Sequence, residues 1–178
     1  MRLGELSIAL AGWLLAGCAA LAPSPAPWPV PPAALGERLA EQRLVLTRQG
    51  GHHALEAVVQ VRADRLRIIG NALALRLFTL DYDGRRISQG PGAGLPAGLT
   101  PARIVNDFLA VHTPLAALRQ ALPAGWQADE AAGVRTVRNA QGAVELVVRY
   151  RDGDPWHGAT LQALSGGYRL AIESEDVR

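Results

Sequence analysis

The residues of this chain that could do covalent or metal chemistry are few. It has one cysteine, Cys18, four histidines and sixteen aspartates and glutamates. A thiol reacts as its thiolate, which needs an electropositive, folded pocket. Cys18 instead follows an apolar run, Leu6 to Leu15, and the two small residues Ala16 and Gly17. His52-His53, His112 and His157 lack the spacing of zinc ligands. Asp107 lies five residues before His112, an offset that does not stack two side chains on one helix face. Asp81-Tyr82-Asp83-Gly84 lacks the further carboxylates of an EF-hand loop and reads as a turn. No Gly-x-Ser-x-Gly nucleophile elbow is present. The expectation is a protein that is not an enzyme and carries no cofactor or metal.

The chemistry that suits Cys18 is acylation. The apolar run before it is about ten residues long, where a bilayer core needs ~20. That is the length of a signal-peptide apolar region. Leu15-Ala16-Gly17-Cys18 resembles the bacterial lipobox, whose small residues let an extended backbone enter the signal peptidase. The resemblance implies that residues 1–17 are a lipoprotein signal peptide. Cys18 would then be the first mature residue, carrying a diacylglyceryl thioether and an acylated amine, typically palmitate. Two or more acyl chains, at ~0.8 kcal/mol per buried CH₂, anchor a protein firmly in a membrane. Ala19 is not the aspartate that retains enterobacterial lipoproteins at the inner membrane. By that likeness the location is the periplasmic face of the outer membrane.

Residues 18–35 read as the lipidated cysteine and a Pro/Ala-rich tether. Pro23, Pro25, Pro27, Pro29, Pro31 and Pro32 remove backbone donors and favour extended polyproline II. Residues 36–178 then form one domain, long enough for a sizeable core. With Cys18 acylated no disulfide can form, so packing must hold the fold. The formal net charge is +2, all basic residues are arginines, and they are scattered. Without a basic cluster or a recognition motif, nucleic acid is a poor partner.

The domain reads mostly as short strands. His53 to Arg62 places Leu55, Ala57, Val59 and Val61 on one face and Glu56, Gln60 and Arg62 on the other, with Val58 the one exception. Leu66 and Ile68 alternate with Arg65 and Arg67; Leu75 to Tyr82 is apolar in both phases, and Asp83-Gly84 signals a hairpin. Gly90 to Gly98 is a Gly/Pro-rich loop. Thr100-Pro101 then starts a helix, Pro114 restarts a second, and Pro123-Ala124-Gly125 ends it. Strands resume to the end. The class is α+β, mainly antiparallel β. Cleanly alternating strands leave one sheet face to solvent, and two short helices must cover the other. A strongly curved, incomplete barrel closed by those helices solves this. Leu55, Val59, Phe78, Leu80, Tyr82, Ile104, Phe108, Leu115 and Leu118 would line its hollow, which is either a filled core or an apolar ligand cavity.

Three segments are similar to the LolA/LolB lipoprotein carrier and receptor superfamily. They are Ile68-Ile69-Gly70-Asn71-Ala72-Leu73, Pro114-Leu115-x-x-Leu118-Arg119-Gln120 and Ser165-Gly166-Gly167-Tyr168-Arg169-Leu170. The resemblance implies an incomplete barrel with a helical lid over an apolar cavity, and makes Leu73 the protruding membrane- or cargo-engaging leucine. Ala72 and Ala74 stand where that family has Pro and Gly. The stretch Gly70 to Leu77 before Leu80-Asp81-Tyr82-Asp83-Gly84, with Pro114-Leu115-x-x-Leu118-Arg119 and Gly167-Tyr168-Arg169-Leu170-x-Ile172, also resembles a family of bacterial outer-membrane lipoproteins of unknown function. Its members are often encoded beside aryl-polyene synthesis genes. The resemblances imply an outer-membrane lipoprotein that binds or transfers an acyl chain, a polyene lipid or a lipoprotein, served by a periplasmic carrier protein. The alternative is an adaptor lipoprotein with a filled core that binds a protein partner of an envelope export system.

Overall fold

The period-2 alternation of the sequence becomes one long antiparallel sheet. The structure, a computed structural model, describes residues 26–49 and 51–177. Its strands are β1 (Arg38–Arg48), β2 (Gly51–Arg62), β3 (Arg65–Ala72), β4 (Leu75–Tyr82), β5 (Ile87–Gly90), β6 (Gln127–Ala131), β7 (Val134–Arg138), β8 (Val144–Tyr150), β9 (Gly158–Ala163) and β10 (Tyr168–Asp176). They lie in the order β5-β4-β3-β2-β1-β10-β9-β8-β7-β6. Each half is a run of hairpins, and β1 and β10 join the halves, with Leu44 opposite Ile172 and Leu46 opposite Leu170. The sheet is open: β5 and β6 are its two edges.

Antiparallel pairing gives the sheet two distinct ends. The β1–β2, β3–β4, β7–β8 and β9–β10 turns lie at one end, here the rim. The β2–β3, β4–β5, β6–β7 and β8–β9 turns lie at the other, the floor.

The helix α1 (Pro101–His112) fills the hollow of the sheet. The Thr100 hydroxyl oxygen caps it, accepting from the Arg103 amide at 3.2 Å, with Pro101 at the first helical position. Every residue from Val105 to His112 is buried, so the helix is covered on all sides rather than along one stripe. Its C-terminal end is tied to the far half of the sheet. Arg135 Nη1 on β7 donates to the Ala110 and Thr113 carbonyls at 2.7 and 2.8 Å, and the Tyr150 hydroxyl on β8 donates to Val111. A cation at the carbonyl end of a helix is well placed. Glu130 pairs with the same buried guanidinium at 2.7 Å, so its charge is not left uncompensated.

Two expectations are corrected here. The hollow is not closed by two helices: α1 occupies it, and α2 (Leu115–Ala121) packs on edge strand β6. Nor does the proline-rich segment run free to residue 35. Trp28, Val30, Pro32 and Leu35 are buried, and Pro32–Leu35 forms a 3-10 turn. The reason is visible in the composition, because the prolines alternate with large apolar residues that can be buried at a sheet gap. The Tyr82 hydroxyl accepts from the Val30 amide at 3.0 Å and donates to the Trp28 carbonyl. Asn106 on α1 brackets Trp28 and Ala26. Residues 26–35 are thus a strap along the gap of the open sheet. At its start Pro27 lines one shallow pocket with Thr100, Pro101 and Ala102 at the N-terminal end of α1 and with Arg85, Arg86 and Ile87 at the β4–β5 turn.

Candidate functional site

The β3–β4 hairpin at the rim carries the most unusual side chain of the domain. Its two-residue loop, Leu73-Ala74, has φ values of +49° and +61°. That is a type I′ turn, which Asn-Gly normally fills because both positions are left-handed. A residue with a Cβ there costs roughly 1–2 kcal/mol. Leu73 is nevertheless fully exposed, at 102%, and Leu75 beside it is 57% exposed. The expectation that Leu73 protrudes meets this geometry, and the alternative of a leucine tucked into the core does not.

Behind this hairpin lies an open groove of about 980 Å³. The β1–β2 hairpin, Leu77 and the 91–98 loop frame it, with Leu46, Leu55, Leu95 and Pro96 among its walls. Leu46, Leu55 and Pro96 also belong to a second space, a narrow slot between the sheet and α1. The slot holds only about 70 Å³. Phe78, Ile104 and Phe108 close it, as do Leu44, Leu170 and Ile172. Gly70 permits this packing: a Cβ there would lie 2.4 Å from the Phe78 ring.

Of the nine residues expected to line a hollow, Leu55, Phe78, Ile104 and Phe108 line the slot. Val59, Leu80, Tyr82 and Leu118 are instead buried core, and Leu115 is a half-buried packing residue. The correction has a simple cause. Towards the floor the strap and the helix fill the interior, so the apolar faces of the strands meet protein. Leu15, Ala16, Gly17 and Cys18 lie outside the described residues.

The polar lining of the slot was not legible from sequence. Asp107 on α1 receives the Tyr168 hydroxyl hydrogen and lies 3.1 Å from Arg103 Nε, one turn back. Arg103 Nε also donates to the Tyr168 oxygen at 2.8 Å. Burial pushes the Asp107 carboxyl up to about 6, against the opposite pull of Arg103 and Tyr168. At the floor end His112 stacks between Trp156 and Phe108, with ring centroids 4.1 and 4.4 Å away. Gln42 donates to Ser174 Oγ at 2.9 Å and sits 3.2 Å from His112 Nε2. As a donor to Nε2 it leaves the imidazole proton on Nδ1. Burial first, then Arg135 and Arg38, push the His112 pKa down to about 3. The imidazole is a neutral packing ring at ordinary pH. A repeat of apolar residues at positions 44, 46, 170 and 172 was the one available signal for the missed walls.

The other candidate chemistries are accounted for locally. Asp83 Oδ1 accepts from the Arg85 and Arg86 amides, and Arg67 pairs with Asp81 at 2.8 Å. Those amides draw the Asp83 carboxyl below its usual range. Among the described residues no group of three or more His, Cys, Asp or Glu is arranged to hold a metal ion. Trp156 is buried at the floor, and Trp126 packs edge-on against Trp28 at 6.1 Å.

Residues 39–176 match the model of a family described as a protein of unknown function (DUF3261). No curated protein matches the chain. Among solved structures, a DUF1329 family protein from Desulfovibrio piger is similar over 85% of this chain and 92% of that one. The two share 7% sequence identity, with a TM-score of 0.38.

Proposed function

We propose that this chain, which belongs to the DUF3261 family, is a membrane-anchored lipoprotein that binds or transfers lipid or lipoprotein cargo at the outer membrane. In this reading Cys18 carries the anchor, and the domain is an incomplete barrel of the LolA/LolB kind. The observation that supports it best is Leu73, a fully exposed leucine on a left-handed turn at the lip of a groove whose aliphatic walls are edged by Arg48, Gln49, His52 and His53. Natural turns rarely hold a large apolar side chain in water at a backbone cost. A partner that buries it makes sense of the choice, and the aliphatic side of the groove behind it offers the same partner further apolar surface. Apolar burial, at ~25 cal/mol per Å², is enough to hold an acyl chain without covalent chemistry. The cargo classes consistent with the groove are an acyl chain, a polyene lipid or an acylated protein handed over by a periplasmic carrier. Transfer of a labelled lipid from donor to acceptor vesicles tests the reading. Leu73→Glu should abolish transfer and leave the circular dichroism spectrum unchanged. Full transfer by that variant would refute it.

One observation favours the adaptor reading. The slot of about 70 Å³ is far smaller than the ~300 Å³ at which ligand pockets begin. On that reading the interior is filled by α1, and the rim meets a protein of an export system. Cargo in the open groove and a filled interior are compatible, which is why the proposal places the acyl chain at the rim.

A further inference from the structure

We infer that the cavity between the strap and the two helices is a second binding site, suited to a neutral sugar that presents two neighbouring hydroxyl groups. It shares no lining residue with the rim groove, so it stands on its own geometry whatever that groove receives.

The cavity has a volume of about 480 Å³, within the range of ligand pockets and several times that of the slot. The strap forms one wall with Ala26, Pro27, Trp28 and Pro29, and the Asn106 carboxamide holds that wall in place. The end of α2 and the start of β8 form the facing walls.

Its polar side holds a donor and an acceptor that the fold leaves unused. Arg103 Nε carries one hydrogen and gives it to the Tyr168 oxygen at 2.8 Å. The Tyr168 hydroxyl donates in turn to Asp107 Oδ2. Asp107 Oδ1, 3.1 Å from Arg103 Nε, is therefore left without a hydrogen bond, and so is Arg103 Nη2. Only four buried side-chain atoms lack a partner among the described residues, and this pair carries two of them. The Asp107 side chain is 8% exposed, where an unmade bond is costly. Arg103 lines this cavity and not the slot, and Asp107 lines both.

The unused pair selects the ligand. A group that completes it must accept from the guanidinium and donate to the carboxylate from neighbouring atoms. A carboxylate or a phosphodiester cannot donate, and an ammonium cannot accept. Two vicinal hydroxyls do both, because each is donor and acceptor. The charges agree: one cation, Arg103, stands against two carboxylates, Asp107 and Glu145, so an anion would meet a negative wall. The apolar walls suit the rest of a sugar ring. Trp28 and Trp126 meet edge to face, their planes at 68°, with Leu122 and Leu146 also lining the cavity. The flat C–H face of a pyranose packs on such aromatic surface. Exposed Gln120 and half-buried Glu145 add planar polar groups for further hydroxyls.

The test titrates the chain bearing Cys18→Ser, with isotope-labelled tryptophan, against the methyl glycosides of glucose, galactose and mannose. The indole N–H signals of Trp28 and Trp126 should shift with at least one of them, with a Kd of about 1 mM or tighter. The signal of Trp156, which does not line the cavity, should stay still. Asp107→Leu should weaken binding at least roughly tenfold, and Gln120→Ala, on an exposed side chain, about threefold. If Asp107→Leu does not fold, the indole shifts and Gln120→Ala decide. No shift with any glycoside at about 10 mM, or equal shifts at Trp156, would overturn the inference. So would acetate or acetamide moving the two signals in their place, full affinity in a folded Asp107→Leu, or full affinity in Gln120→Ala where Asp107→Leu is lost. Octyl glucoside below its micelle concentration separates two sources of the sugar. Affinity equal to that of methyl glucoside assigns a free glycan, and tighter binding assigns a glycolipid headgroup.

Discussion

The Asn106 carboxamide and the Trp28 backbone form a two-sided clasp. Oδ1 accepts from the Trp28 amide at 2.8 Å, and Nδ2 donates to the neighbouring Ala26 carbonyl at 3.0 Å. Through this clasp one side chain of the central helix fixes the path of residues 26–28.

Removing the clasp leaves the buried Trp28 amide without its partner. Asn106→Ala should therefore lower stability by about 1–3 kcal/mol in urea denaturation. It should also speed proteolysis at residues 26–35 without changing the sheet. An unchanged urea midpoint would show that the strap is held by Trp28 and Val30 packing alone.

The Leu73 turn makes stability and function move in opposite directions. Leu73→Asn suits a left-handed position and buries nothing less, since Leu73 packs against nothing. It should raise stability by up to about 1 kcal/mol and lower lipid transfer. A stabilised variant with undiminished transfer would show that the leucine is a tolerated accident of the turn.

Stability should depend on pH through two buried groups of opposite sign. His112 is held near 3 in the fold against an ordinary value of 6.5, so the unfolded chain binds more protons between these values. Its contribution is complete above 6.5 and is lost as pH falls towards 3, by at most about 1.4 kcal/mol per pH unit. Asp107 does the opposite. With its folded value near 6 against 3.8, the native state gains stability as pH falls from 6 to 4. The two slopes offset each other there. Asp107→Asn should steepen the acid loss of the urea midpoint, and His112→Phe should flatten or invert it. Three superimposable pH profiles would contradict the assignment.

The slot can be enlarged deliberately. Phe78→Ala removes a ring packed on Gly70 and should cost about 3–5 kcal/mol. The variant should bind an apolar fluorophore more strongly than the parent, with an acyl-chain competitor displacing it. Gly70→Ala forces the ring aside instead and should cost about 1–3 kcal/mol. An enlarged slot that still excludes every apolar probe would favour the adaptor reading.

The legibility of this chain followed the range of the interactions involved. The strand Leu75–Tyr82 forms at the residues expected, because an apolar run and the Asp83-Gly84 turn are local signals. Thr100-Pro101 marked the start of α1 for the same reason. The burial of His112 was not legible, since it depends on Trp156 and Gln42, which are distant in the chain. The prolines of residues 18–35 suggested an extended linker, but the Val30 amide turns back to the Trp28 carbonyl at 2.8 Å and Pro32–Leu35 forms a 3-10 turn. Only the long-range bonds from Asn106 and Tyr82 turn it into a strap. Leu73 was singled out by likeness alone; its exposure needed the turn geometry.

In the proposed function the rim groove receives an acyl chain. Native mass spectrometry of the protein bearing Cys18→Ser, purified without detergent from cells, tests it most directly. A population carrying a lipid-sized mass increment is expected, and it should disappear in Leu73→Glu with the fold intact. A folded parent protein without any bound lipid, even after incubation with excess fatty acid or phospholipid, would contradict it.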